Sequence, residues 1–404
     1  MVRYALAGAG LRSLDFGPPI HNRFAATAAL IGIYDPNSAR AHYLSQLCGG
    51  TPVFADFDEM LRQTAPDAVI VTTMDSTHHD YVIRTLQAGH DVIVEKPMTI
   101  DAEKCRAILA AERQSACKVT VTFNYRFSPY ATRIKELLSA GAIGRVLSVD
   151  FEWLLDTRHG ADYFRRWHRR LANSGGLLVH KATHHFDIVN WWVADAPQTV
   201  FAQGLRAFYG PTRVERGQRC STCDYQRSCE FYVDLAADPL NRSLYFEAEH
   251  LDGYYRDGCV FDPEIDIYDT MSVNVRYHQG VLLTYSLIAH SPYEGWRAAI
   301  NGAAGRMEIQ DFSSGPSAAE PHNLVRVFDR RGEVITYSVP KAEGAHGGSD
   351  ARLVARLFQD RDGPDPLGHM ASSRDGAQSI LIGIAANQSI ATGLPVEVPA
   401  LLDG

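Results

Sequence analysis

The feature that most limits how this chain can fold is a repeated hand-over from apolar strand to amphipathic helix, beginning with VRYALAGAGLRS at the N-terminus. The apolar run ends in a Gly8-x-Gly10-x-x-Ser13 turn. Gly8 permits a tight turn, and Gly10 lets the backbone come close to a pyrophosphate at the start of the next helix. Leu11 and Arg12 belong to the same cofactor-binding turn, Ser13 stands where a third glycine would pack helix on strand, and Pro18 and Pro19 delay the helix. A second strand, AALIGIYD, ends in Asp35, 25 residues after Gly10. An acid at that strand end suits the ribose hydroxyls of NAD and repels the 2′-phosphate of NADP. Nearby Arg40 argues the other way, unless it only lines a helix face. Helix NSARAHYLSQLCG, a strand near Val53–Phe54, helix FDEMLRQT, strand PDAVIVTT, helix HHDYVIRTLQAG and strand HDVIVEKP follow. Such alternation predicts a doubly wound parallel sheet, a Rossmann domain, over residues 1–122. Residues 123–404 then form a C-terminal α/β domain on an open, mainly antiparallel sheet, with MSVNVRYHQGVLLTYSLIAHS reading as a hairpin of it.

At 404 residues with 46% hydrophobic side chains, the chain can bury two cores. Its net charge of −8 points away from nucleic acid and anionic membrane surfaces. No apolar run of about 18 residues and no signal peptide are visible, so a cytoplasmic protein is expected.

Two further stretches carry chemistry. In VIVEKPM, Glu95, Lys96 and Pro97 sit at the carboxyl end of a strand, where such sheets bind ligands; Lys96 there can touch a substrate hydroxyl. In SGGLLVHKATHHFDIVNWW, His180, Lys181, His184, His185 and Asp187 fall within eight residues behind a glycine pair. On a helix over 177–192, His180, His184 and Asp187 share one face, with Lys181 and His185 on a neighbouring one. One reading makes His184 the proton carrier while Lys96 steadies an alkoxide. Another makes His180 and His184 metal ligands, with Asp156, Glu264 or Asp266 as a third.

Taken together, the glycine turn, TTMDSTHHDYV, EKP, NYRF (Asn124–Phe127), the GG…H…D helix and NGAAGRMEI resemble the Gfo/Idh/MocA oxidoreductases over nearly the whole chain. The resemblance implies hydride transfer between NAD and a ring carbinol of a sugar or cyclitol, and a C-terminal sheet that often mediates homo-oligomers. It also implies that Lys96 is the active-site lysine and His184 the proton-transfer histidine. Asp35, Thr73, His78, Glu95 and Arg126 match positions around the cofactor. His180 departs from the pattern, standing where the family usually has an aspartate, and His185 adds another imidazole.

Upstream of that helix, Arg158, Arg165, Arg166, Arg169 and Arg170 crowd one loop. Arginine forks suit carboxylate, sulfonate or phosphate. Arg158, Arg166, Arg169 and His185 are therefore expected to contact an anionic sugar. A long insertion at about 207–269 holds Cys220, Cys223, Cys229 and Cys259, whose thiolates suit a structural zinc, with an iron–sulfur cluster or free thiols as alternatives. Its run LYFEAEHLDGYYRDG reads as a lid or as the insertion's own packing, and Tyr293, Glu294, Trp296 and Arg297 as flanking residues. Three functions fit. They are an NAD-dependent sugar or cyclitol dehydrogenase, a glycoside hydrolase or lyase that keeps and recycles its NAD, and a non-catalytic NAD-responsive regulator.

Overall fold

The computed structural model describes residues 1–315 and 317–403. Strands β1 (Val2–Ala7), β2 (Ala28–Tyr34), β3 (Val53–Phe54), β4 (Ala68–Val71), β5 (Asp91–Val94) and β6 (Val119–Val121) form a parallel sheet in the order β6-β5-β4-β1-β2-β3. Helices cover both faces, so β1 and β4 are apolar at nearly every position and are buried. The strand order reverses between β1 and β4, which places a cleft above their carboxyl ends. Gly8 closes β1 at φ +96°, and a Cβ there would stand 2.6 Å from the Thr72 carbonyl carbon after β4. After a tight turn over Leu11–Asp15, the helix Gly17–Asn22 takes Pro18 and Pro19 into its first turn, where a missing N–H costs nothing.

The second sheet contains β7 (Val146–Asp156), β8 (Pro197–Leu205), β9 (Thr270–Tyr277), β10 (Leu282–Ser291), β11 (Gly295–Gly302), β12 (Gly305–Phe312), β13 (His322–Asp329) and β14 (Val334–Pro340). Its order is β14-β13-β12-β11-β7-β10-β9-β8, closed by Val396–Glu397, and only β7–β10 pair in parallel. Met271, Val273, Val275 and Tyr277 alternate inward along β9, as one-sided burial requires. Helices Thr183–Val193 and Ser373–Thr392 cover that inner face, with the Phe186 ring 4.9 Å from Tyr285.

The chain then returns to the first sheet. Ala371–Ser372 adds an antiparallel strand beside β6, and the helix Ser349–Phe358 packs under β1. There Tyr4 Oη donates to Leu357 O (3.2 Å) and Thr27 Oγ1 to Phe358 O (2.6 Å).

The expected single helix over 177–192 is two helices, Leu177–His180 and Thr183–Val193. At the joint the Ala182 N–H reaches Leu177 O, five residues back rather than four, and this extra residue re-phases everything beyond it. The insertion is mostly turns, tied at its neck by Asp269, whose Oδ2 accepts the N–H groups of Ala207, Phe208 and Tyr209 at 3.0, 2.8 and 3.0 Å.

Candidate active site

The cleft above β1 and β4 fits a dinucleotide. Gly8 leaves the backbone bare where no side chain could stand, and Asp35 at the end of β2 is braced by two backbone donors. Ala9 N–H reaches its Oδ2 (2.6 Å) and Asn37 N–H its Oδ1 (2.7 Å), with Arg40 Nε 3.6 Å away. Burial raises the Asp35 carboxyl against the pull of Arg40 and these donors. The Leu11 N–H, on the same turn, donates to Tyr245 Oη from the insertion (2.8 Å). Asp35 and the Gly8–Leu11 turn thus meet at one edge of the cleft.

Other residues expected around the cofactor are tied to one another and to neighbouring elements. Arg12 is engaged by Glu95 (2.7 Å), Asp15 (2.7 Å) and Asp350 (3.1 Å), so it ties the glycine turn to the end of β5. Glu95 also accepts from Thr122 Oγ1 (2.7 Å) and the Lys96 N–H (3.1 Å). His78 places both ring nitrogens on carbonyl oxygens, Pro97 at 2.9 Å and Thr73 at 3.0 Å, bracing the ends of β4 and β5. The Thr73 hydroxyl accepts from Thr77 Oγ1 (3.0 Å). Arg126 corrects the expectation of a cofactor contact. It is buried in a fork on Asp187 (2.6 and 2.8 Å), with Gly368 O and Asp375 taking its remaining donors, because its turn faces the helix Thr183–Val193. Asp187 accordingly lies with Arg126 rather than with His180. Burial lifts its carboxyl to about 6 although Arg126 pulls the other way, and at neutral pH the pair is ionic.

Lys96, at the end of β5, is half-buried with Nζ 3.3 Å from His180 O. His180 Nδ1 lies 2.5 Å from Asp75 Oδ2, on the turn after β4. The aspartate that the histidine helix lacks thus reaches the same place from the first domain. Burial dominates all three groups: it raises Asp75, lowers Lys96 and lowers His180, whose ring is neutral at pH 7. With Nδ1 fixed on Asp75, His180 has Nε2 left to handle a proton. His168 stacks on Trp167 at 3.6 Å and lies 4.2 Å from the His180 ring. His184 rests 4.9 Å from the Tyr125 ring.

His184 lines a cavity of about 410 Å³ together with Tyr125, Trp153, His159, Lys181 and Glu294. Lys181 lies 4.8 Å over Trp153, and burial brings its amine down to about 8. Glu294 contacts His159 Nδ1 at 2.8 Å, and His159 Nε2 contacts Tyr163 Oη at 3.0 Å. Burial lowers His159 despite Glu294; Glu294, which burial alone would raise, ends lower through His159 and Lys181. A neutral imidazole therefore donates to a carboxylate. Trp296 lines the same cavity, whereas Arg297 is exposed against Glu152 and Tyr293 packs on Phe312. A larger cavity, about 800 Å³, lies over Asp150, Glu152 and Arg306 on the outer face of the second sheet and contains none of these acid–base groups. His185 lines the inner cavity, but its ring stacks on Trp153 at 3.9 Å and Nδ1 meets Tyr285 Oη at 2.7 Å, so its stacked face supports the wall.

The metal reading of the histidines is corrected. His180 is committed to Asp75, Asp156 caps the helix Thr157–Arg165, Glu264 pairs with Arg170 and Asp266 accepts the Leu171 N–H. The arginine clamp shrinks in the same way: Arg158 is exposed, Arg165 donates to Phe231 O, and Arg169 pairs with Asp262 at 3.4 Å. Only Arg166, resting on Asp162 O (2.9 Å), contributes its charge beside Lys96 and Asp75. The insertion cysteines Cys220, Cys223, Cys229 and Cys259 line one small cavity as free thiols. Among the described residues no three His, Cys, Asp or Glu side chains are gathered to hold a metal, so the structure does not support the zinc or cluster expected from their spacing. Burial raises the Cys220 thiol, and the loop packs instead on rings such as Phe231 and Phe261, 5.4 Å apart.

Sequence reasoning missed Asp75, His159, Tyr163 and His168 as members of this site. Asp75 had a signal, an acid one turn past a Rossmann strand, but nothing local tied it to His180.

Comparison with known proteins places this geometry in context. Residues 2–123 match the model of an oxidoreductase family's NAD-binding Rossmann fold, and residues 135–398 that of its C-terminal alpha/beta domain. YteT of Bacillus subtilis (strain 168), whose name gives only the class oxidoreductase, is 39% identical, covering 97% of each chain. Inositol 2-dehydrogenase of Rhizobium meliloti (strain 1021) is 29% identical over 50% of this chain and 58% of its own. A solved levoglucosan dehydrogenase, in complex with NADH and L-sorbose, shares the fold at TM-score 0.71 and 18% identity, covering 98% and 99% of the two chains.

Proposed function

This chain belongs to the Gfo/Idh/MocA oxidoreductase family, with an NAD-binding Rossmann domain, and from that premise we propose that it oxidises a secondary ring hydroxyl of a sugar, sugar derivative or cyclitol. The observation that carries this reading is the convergence of Lys96 and the Asp75–His180 pair at the β4 and β5 strand ends, with His184 in the first turn of the helix that follows His180. NAD, when bound, supplies the acceptor for the carbinol hydrogen as hydride. Lys96 donates to the substrate oxygen and steadies negative charge as it develops. An imidazole, His184 or the Asp75-held His180 whose ring burial keeps neutral, takes the hydroxyl proton. Arg166 adds positive charge on the same side, so sugars with an acidic group are favoured over neutral ones. Neighbours named for inositol and levoglucosan dehydrogenases are consistent with this substrate class.

The test is single-turnover reduction of bound NAD across a panel of sugars and cyclitols. Lys96→Ala should slow the hydride step by about 10²–10⁴-fold while NAD still binds. Full turnover in that variant, or a protein that never binds NAD(H), overturns the reading.

A second reading has one specific observation behind it: Lys181, Glu294 and His159, the last bonded to Tyr163, line one cavity and exceed what a hydride step needs. Such a base could remove the proton next to a transient ketone and drive loss of a glycosidic substituent, with NAD regenerated in place. Cleavage of an aryl glycoside without net NADH, with solvent deuterium entering beside the oxidised carbon, would favour it over simple dehydrogenation.

A further inference from the structure

Resting on the NAD site just described, we propose that Asp252, a residue of the insertion, sets the choice of NAD over NADP by holding Arg40. The insertion lies along the dinucleotide edge of the first domain at three places. Tyr245 Oη accepts the Leu11 N–H (2.8 Å), Ala248 O accepts Asn37 Nδ2–H (2.8 Å), and Asp252 pairs with Arg40 Nη2. These three partners follow β1 and β2, where the glycine turn and the ribose-binding acid stand.

Arg40 is the cation within reach of Asp35, with Nε 3.6 Å from Oδ1. Its side chain is almost wholly buried, and its Nη1 is a buried donor with no hydrogen-bond partner among the described residues. A guanidinium with an idle donor, next to the acid that faces the adenosine ribose, suits the 2′-phosphate that distinguishes NADP. Two carboxylates oppose that use. Asp35 cannot turn away, because backbone N–H groups hold both its oxygens. Asp252 fixes the other end of the guanidinium and cancels its remaining charge. Asp35, Asp252 and Arg40 then sum to one negative charge, which repels a phosphate carrying about two.

Neutralising Asp252 would therefore change the sign of the argument at one point only. The three-residue sum falls to zero, and Arg40 is free to swing its fork onto a 2′-phosphate. Asp35 keeps its grip on the ribose hydroxyls, so NAD loses little.

The experiment is equilibrium binding of NAD and NADP to the full-length protein by quenching of tryptophan fluorescence. It compares wild type, Asp252→Asn, Asp252→Ser and the double variant Asp252→Asn with Arg40→Leu. The expected result is a fall of at least tenfold in the ratio of the NADP to the NAD dissociation constant in both single variants. NAD affinity should stay within about threefold, and the gain should vanish in the double variant. A ratio within threefold of wild type overturns the inference, as does an equal loss of both dinucleotides, which would make Asp252 a structural tie alone. If wild-type protein binds neither dinucleotide, the cofactor reading fails first and takes this inference with it.

Discussion

Asp75 and His180 are 105 residues apart in sequence yet share a hydrogen bond, and their burial sets the pH behaviour expected of the enzyme. His180 is held well below 6.5 and Lys96 below 10.5, both chiefly by burial. A reaction needing neutral imidazole and charged ammonium is then bell-shaped in kcat/KM, with its acid limb below pH 6.5 and its alkaline limb below 10.5. Asp75→Asn replaces the carboxylate that fixes the ring with an uncharged amide that can also present a donor, and should lower kcat by about 10²-fold with little change in NAD affinity, measurable by stopped-flow and titration. Lys181 makes a separate prediction about stability. Its folded pKa of about 8 lies below the ordinary 10.5, so the unfolded chain binds the extra proton between those values. The penalty is complete below pH 8 and fades as pH rises towards 10.5. Lys181→Met should raise stability at pH 7 by about 2 kcal/mol, with the gap to wild type closing near pH 10 in paired thermal melts.

At the scale of elements, one contact decides where the histidines point. Gly383 of the helix Ser373–Thr392 lies against the carbonyl of Leu178, and a Cβ at that position would collide with it. Gly383→Ala should push away the short helix carrying His180, costing about 1–3 kcal/mol and lowering kcat, as chemical denaturation and assay would show together. Elements were also the scale at which sequence stopped being legible. Strand–helix alternation reveals β1–β5 because each segment declares its own period, and Lys96 follows from being at a strand end. The break at Lys181–Ala182 has no local signal: neither residue disfavours helix, and the joint is made by packing. Asp262 and Glu264, the partners of Arg169 and Arg170, lie 93 and 94 residues downstream, so a basic loop read alone looks like an empty clamp.

For the molecule as a whole, Arg126 is a keystone between the turn after β6, the helix Thr183–Val193 and the segment around Gly368 and Asp375. Arg126→Met leaves Asp187 buried without its partner and should cost about 3–5 kcal/mol. Adding Asp187→Leu should return most of that loss, since no charge is then stranded. Urea unfolding of the single and double variants checks both statements.

The return of Ser349–Phe358 beneath β1 has a consequence for the order in which the protein is made. Leu353, Val354, Leu357 and Phe358 share one apolar cluster with Tyr4, Phe24 and Ile70. The residues of β1 therefore wait during synthesis for partners made more than 300 residues later (Tyr4 and Leu357 are 353 apart), and the parallel sheet keeps part of its hydrophobic underside open until then. Such long sequence separation slows folding and leaves the nascent chain reliant on chaperones. A fragment ending at residue 122 should emerge insoluble, and a separate peptide spanning 345–375 should rescue it.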